Sequence, residues 1–146
     1  MNARDVVELN QLAYRYARAV DRCDMELFKT VFTPDARLRA YNPDQDEPFN
    51  DISGHDALVK INEIMNTMFD KTMHMMVNHM VEVDGDSATG EVMCTARHIP
   101  KGGGDVLTIH IRYIDDYVRQ GGEWKICDRH IRFQWAERGS VADSGF

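Results

Sequence analysis

The chain predicts an α+β fold. The expected form is a cone-shaped, strongly curved antiparallel sheet whose N-terminal helices cover the concave face and enclose a pocket. Three observations lead there. Apolar residues recur with a helical period in the first half and with strand-like patterns in the second. The strand segments run about 11 to 15 residues, against the usual 5 or 6, and strands of that length must twist and curl. The turns between them are short, as at Asp84-Gly85-Asp86 and Gln120-Gly121-Gly122. Helices first and strands second is the order of an α+β domain, not of alternating βαβ units.

Residues 3–20 form the first expected helix, with Val6, Leu9, Ala13, Tyr16, Ala17 and Val20 in one apolar stripe. Asn2 is its expected N-terminal cap, with Asp5 in the first turn. The helix should stop near Asp21-Arg22-Cys23-Asp24. Asp24 is the natural cap of a short second helix from Met25 to about Val31, and Pro34 should end that region. Ala36 to Tyr41 alternates as a short strand. Asn42 to Phe49, with two prolines, reads as an exposed loop of the kind that serves as a lid. Ser53-Gly54-His55-Asp56 reads as a capping box. It opens a helix to about Asp70, with Ala57, Leu58, Ile61, Ile64, Met65 and Met68 on its apolar side. Strands are expected over 73–83, 87–99, 105–119 and 122–136, and the tail from Arg138 to Phe146 is expected to be loosely held. No repeat or boundary divides the chain, so residues 1–146 are read as one domain.

At 146 residues, a domain buries roughly two thirds of its unfolded surface and needs no disulfide. Apolar residues are 43% and charged residues 28%, both globular values. The net charge of −7, from 24 acids and 17 bases, disfavours nucleic acid and anionic membranes. The densest basic stretch, Arg129, His130 and Arg132, is interrupted by Ile131 and Phe133. The N-terminal residues lack the apolar run of a signal peptide, and no segment approaches the roughly 20 apolar residues of a membrane span. Cys23, Cys94 and Cys127 have no metal-type spacing and fit a reducing cytoplasm. Cys94 and Cys127 read as small core residues, Cys23 as exposed. Gly102-Gly103-Gly104 joins two strands and does not cradle phosphate. Six histidines occur without a His-Glu-x-x-His spacing, so neither metal nor other cofactor is expected.

His74 and His79 have opposite parity on one strand, so at most one faces the pocket unless a bulge intervenes. His74 shares its face with Met76, Asn78 and Met80; His79 shares its face with Val77, Val81 and Val83. Periodicity alone leaves both open. His98 follows Cys94 and Ala96 with period two, on a small apolar face. There it would polarise a substrate carbonyl or hold a leaving group. His110, in parity with Arg112, and Arg97 are secondary candidates. Methionines cluster from Met65 to Met80 and line adaptable apolar pockets. With Phe28, Phe32, Phe69 and Phe133 they imply a polycyclic or aromatic ligand.

The chain resembles the nuclear transport factor 2-like superfamily, in the branch of polyketide cyclases, scytalone dehydratase and lindane dehydrochlorinase. The resemblance is carried by Leu12-Ala13-Tyr14-Arg15-Tyr16-Ala17-Arg18-Ala19-Val20-Asp21, by Phe32-Thr33-Pro34-Asp35-Ala36 and by Ser53-Gly54-His55-Asp56-Ala57. It continues through His74-Met75-Met76-Val77-Asn78, Val81-Glu82-Val83-Asp84-Gly85-Asp86 and Gly122-Glu123-Trp124-Lys125-Ile126. It implies that Asp21 and His74 are a catalytic pair, that His98 assists, and that Tyr41 matches a substrate-binding tyrosine. Val20 stands where scytalone dehydratase has a second tyrosine, which argues against that enzyme itself. No clear match to the ketosteroid isomerase base is present. The family commonly has an arginine near Arg129, more often structural or subunit-bridging than catalytic.

Neutral imidazole is a usable base near pH 7, and a carboxylate on its other nitrogen fixes the tautomer and stabilises the imidazolium. The expected function is therefore a cofactor-free lyase, a dehydratase or related elimination, acting on a small apolar cyclic or polyketide- or steroid-like substrate. Met76, Asn78, His110, Phe133 and Tyr41 are its expected substrate contacts. Isomerase or cyclase chemistry, a non-catalytic ligand-binding role, and the small subunit of a ring-hydroxylating dioxygenase are the alternatives. The open sheet face needs covering, and the resemblance implies a homo-oligomer, a trimer or a dimer.

Overall fold

The computed structural model describes residues 2–143 and 145–146. In chain order the elements are α1 (Ala3–Asp21), α2 (Met25–Lys29), β1 (Phe32–Tyr41), β2 (Asn50–Ser53), α3 (His55–Met68), β3 (Phe69–Asp84), β4 (Ser87–Pro100), β5 (Asp105–Gln120) and β6 (Glu123–Ser140). Of the apolar stripe of α1, Leu9, Ala13, Tyr16, Ala17 and Val20 are buried, with Leu12 beside them, while Val6 is half-buried. The Asn2 side chain caps the helix by accepting from the Asp5 amide at 2.9 Å. At its other end Cys23 takes a left-handed φ of 54°, and Asp24 caps α2 by accepting from the Leu27 amide at 3.0 Å. Because Asp24 does the capping, Asp21 is left available for tertiary bonds.

Three local expectations fail. The helix α3 has no side-chain cap: Gly54 occupies the cap position with φ 90°, because Ser53 is already paired to Arg37 as the last residue of β2. Of the expected apolar side of α3 only Leu58 is buried, while Ile64, Met65 and Met68 are exposed. Pro34 does not end the region either. It lies inside β1 where the pairing with β6 is interrupted between Phe32 and Arg37, so its missing N–H breaks no ladder bond there.

The six strands form one sheet in the order β2-β1-β6-β5-β4-β3. This corrects the expected strongly curved antiparallel cone. The sheet is open, with β2 and β3 as its unpaired edges, and it is mixed, because β1 runs parallel to β6. Curling was expected from strand length alone. In the fold, β1 and β2 extend the meander sideways, and its irregularities are confined to register shifts such as Val77/Met80 and His110/Ile111.

One of these shifts sets the position of both strand histidines. Val77 pairs with Met93 and Met80 with Glu91, so Asn78 and His79 together oppose Val92 alone. This is a β-bulge, with Asn78 at φ 51°. Before it, Thr72, His74 and Met76 turn toward the helices; after it, His79, Val81 and Val83 do. Gly90 makes room for it, since a Cβ there would lie 2.8 Å from the Met80 carbonyl oxygen and 2.9 Å from Val81 Cγ1.

Candidate functional site

The inner face of the sheet, the one covered by α1, carries the candidate site. Cross-strand register builds it in rows. His74 pairs with Ala96 and Ala96 with Ile109; next to that row Met76, Cys94, Ile111 and Phe133 follow in succession. Thr72 stands beside His98, which stands beside Leu107. Ile109, Ile131 and Phe133 are only partly buried against the core, so this part of the inner face presents apolar surface. Two cavities, of about 290 Å³ against α1 and about 340 Å³ over the bulge, are lined by other residues. Neither is the enclosed pocket expected around the pair.

Asp21, at the last turn of α1, reaches the edge strand β3. Its Oδ1 lies 2.7 Å from His74 Nδ1, and its Oδ2 accepts from the His74 amide at 2.9 Å. The Thr72 hydroxyl donates to Oδ1 at 2.9 Å. A carboxylate only accepts, so His74 donates from Nδ1, and the neutral ring presents Nε2 as a lone pair. Burial works to raise the Asp21 carboxyl, but the bonds from the His74 ring and amide and from Thr72 outweigh it and hold the group below its ordinary value. The carboxylate thus stays charged.

His98 sits with its ring centroid 5.6 Å from that of His74, edge to face, and 4.7 Å from Phe69. Its Nδ1 faces the Leu107 carbonyl at 3.4 Å. Burial, and then the nearby His74, lower its basicity. A neutral His98 donating to Leu107 presents Nε2 as an acceptor, suited to a substrate hydroxyl and not to polarising a carbonyl.

Three expected contacts do not reach this face. Tyr41 stacks on His130 at 5.5 Å under the Arg132 guanidinium, on the opposite side of the sheet. Its neighbours across the ladder have the parity opposite to Leu38 and Arg129. His110 is likewise on the outer face, stacked on Trp135 at 4.3 Å and bonded to Glu137 at 3.0 Å. Asn78 is turned outward by the bulge, its amide 3.4 Å from Met93 Sδ. Met76 and Phe133 do lie on the inner face.

Sequence reasoning missed Tyr16, Tyr113 and Asp115 as companions of the pair, and named Arg129 only as a structural or subunit-bridging arginine. Tyr16, five residues before Asp21, sets its ring edge to face with His74 at 6.4 Å and with Tyr113 at 5.5 Å. Against both tyrosine rings lies the fully buried Arg129 guanidinium, 4.3 and 4.2 Å from their centroids. Asp115 holds it by two bonds of 2.7 Å. Arg129 Nη1 has no hydrogen-bond partner among the described residues. The legible signal was parity: Tyr113, Asp115 and Tyr117 alternate on β5, and Asp115 pairs directly with Arg129. Among the described residues no group of three or more His, Cys, Asp or Glu side chains could hold a metal ion, and no helix is long and apolar enough to cross a membrane.

An α+β sheet with helices on one face is the fold of the nuclear transport factor 2-like superfamily. Within it the chain belongs to the SnoaL-like domain family, whose model matches residues 1–130. An uncharacterised protein of Mycobacterium tuberculosis is 30% identical over 128 residues, covering 86% of this chain and 82% of the relative. Among solved structures, a candidate scytalone dehydratase from Novosphingobium aromaticivorans superposes with a TM-score of 0.81 at 22% identity, covering 94% of this chain and 89% of the other. A type 2 hexachlorocyclohexane dehydrochlorinase does so with a TM-score of 0.84 at 17% identity, covering 98% and 96%. At those identities the two structures establish the fold.

Proposed function

We propose that the protein is a cofactor-free lyase that eliminates water or a comparable leaving group from a small apolar cyclic substrate. The observation that carries the reading is the 2.7 Å bond from His74 Nδ1 to Asp21, which leaves His74 Nε2 free. Dehydratase and dehydrochlorinase names among the structures of the same fold support this class of reaction. In the proposed step, Nε2 takes a proton from carbon. The C–H electron pair becomes the new C=C bond, and the leaving group departs from the adjacent carbon with its own pair. Where that group is hydroxyl, the imidazolium returns the proton and water leaves. Asp21 stabilises the transient imidazolium without taking its proton. His98 Nε2 accepts from a substrate hydroxyl, and Met76, Ile109 and Phe133 provide the apolar surface. The same dyad serves double-bond migration, so isomerase chemistry is the second outcome.

The test is a panel of apolar cyclic hydroxy ketones and halides, followed for loss of water or halide and for a migrated double bond. His74→Gln should lower kcat by about 10²–10⁴-fold with little change in KM. Undiminished turnover by His74→Gln overturns the assignment.

The outer sheet face supports self-association, with Met73, Met75, Val77, Ile114 and Trp135 exposed on it. Sedimentation velocity that finds only monomer at every concentration would refute this part.

A further inference from the structure

His79 is a titratable inward group that the proposed chemistry does not use. Its Nδ1 lies 2.9 Å from Asn10 Oδ1 on α1, and its Nε2 lies 3.0 Å from the Tyr117 hydroxyl on β5. Tyr117 also lies 2.9 Å from Asp115 Oδ2, and Asp115 holds Arg129. The Arg129 guanidinium is packed on Tyr16, whose ring meets His74. An unbroken series of contacts therefore joins the two histidines.

Proton counting gives this series two states. Tyr117 has one hydroxyl proton and two acceptors, the Asp115 carboxylate and a neutral His79 Nε2. If His79 carries its proton on Nδ1, toward the Asn10 oxygen, then Nε2 competes with Asp115 for that single proton. If His79 is charged, both ring nitrogens donate. Asn10 and Tyr117 then both accept, and Tyr117 donates to Asp115 without conflict. Relative to that tautomer protonation completes the network, and from either tautomer it brings a second positive charge to the carboxylate that holds Arg129.

The geometry points to His79 as a positioning residue whose charge state tunes the Asp21–His74 pair through Tyr117, Asp115 and Arg129. The groups facing it are few: Asn10 from α1, Tyr117 and Asp115 from β5, and Arg129 from β6. From β4 the inward residues Ala88, Gly90 and Val92 carry no charge. Burial lowers the basicity of His79, Asp115 opposes that and Arg129 adds to it. The balance leaves His79 neutral near neutrality and charged on acidification.

The inference takes its interest from the proposed catalytic role of His74, but its test needs no turnover. The histidine ring carbons are followed by NMR from about pH 8 down to the onset of acid unfolding, because His79 titrates below the ordinary histidine range, in the wild type, His79→Gln and Tyr117→Phe. Glutamine can still donate to Tyr117 but cannot titrate, and phenylalanine keeps the buried ring without its hydroxyl. In the wild type the His74 signal should show a second inflection where His79 titrates. That inflection should vanish in His79→Gln and shrink at least two-fold in Tyr117→Phe. A wild-type His74 signal that ignores His79, or a full-sized second inflection in Tyr117→Phe, would overturn it. Because failure here says nothing about elimination by His74, the two ideas fall separately.

Discussion

The two ends of β3 each turn a histidine toward α1, and the two are wired differently. At one end, Asp21 engages His74 on Nδ1 alone, and Nε2 stays open for chemistry. At the other, both nitrogens of His79 face protein partners, Asn10 and Tyr117. A histidine with an acceptor on one nitrogen and no hydrogen-bond partner on the other is suited to be a base. A histidine bonded on both sides is suited to hold a network. The bulge at Asn78 and His79 is what lets one strand do both, since without it the two side chains would point to opposite faces.

Three perturbations separate these ends. The largest effect is expected at Arg129, which lies between the two ends, held by Asp115 and packed on Tyr16. Arg129→Met strands the buried Asp115 carboxylate and should cost about 3–5 kcal/mol of stability, while Arg129→Met with Asp115→Leu should recover most of it. Urea denaturation of the single and double variants checks this; equal losses in both would show that the pair's charge is not what matters.

The bulge itself comes next. Gly90→Ala places a methyl group 2.8 Å from the Met80 carbonyl oxygen and 3.2 Å from Tyr117 Cε2. Main-chain atoms cannot step aside as a flexible side chain would, so the expected cost is about 1–3 kcal/mol. The amide signals of Asn78 to Val81 should move more than those of Thr72 to His74. Equal shifts at both ends would mean that the bulge does not insulate them.

The smallest effect is a pH dependence at the His74 end. The folded-state Asp21 carboxyl is held below its ordinary value, whereas an unfolded aspartate titrates near about 3.9. The stabilisation from that difference is fully present above about pH 4 and is lost as pH falls through the lower folded value. Asp21→Asn removes it at every pH. Thermal melts should therefore show the wild type ahead of Asp21→Asn near neutrality, with the gap closing in acid. A gap that stays constant down to the acid transition would contradict the bond's charged character.

Much of this was legible from the chain. The helical period of residues 3–20, the caps at Asn2 and Asp24, the turns after Asp84 and Gln120, and the α+β order all follow from local chemistry, because period and turn residues act over a few positions. Cap competition at Asp24 even left Asp21 free. The family resemblance, carried by short motifs along the chain, singled out Asp21, His74 and His98. It also pointed to Tyr41, which the structure does not bring to the pair. Tyr41 lies across the sheet from the pair, because β1 docks parallel to β6 in a register that sets it beside Arg132.

By itself, then, the sequence determined most of the helix and strand segments, though not β2 or the extension of β6 to Ser140, and which side chains have the chemistry for proton transfer. The tertiary structure decided where those side chains point. The parity argument made His74 and His79 alternatives, and a single extra residue in β3 made them companions. Sheet closure was also decided there: the open mixed sheet depends on β1 meeting β6 across most of the chain length. Side-chain direction along a strand is a running count, and one bulge, stabilised by a glycine on the neighbouring strand, resets it. No local pattern around His74 encodes that reset.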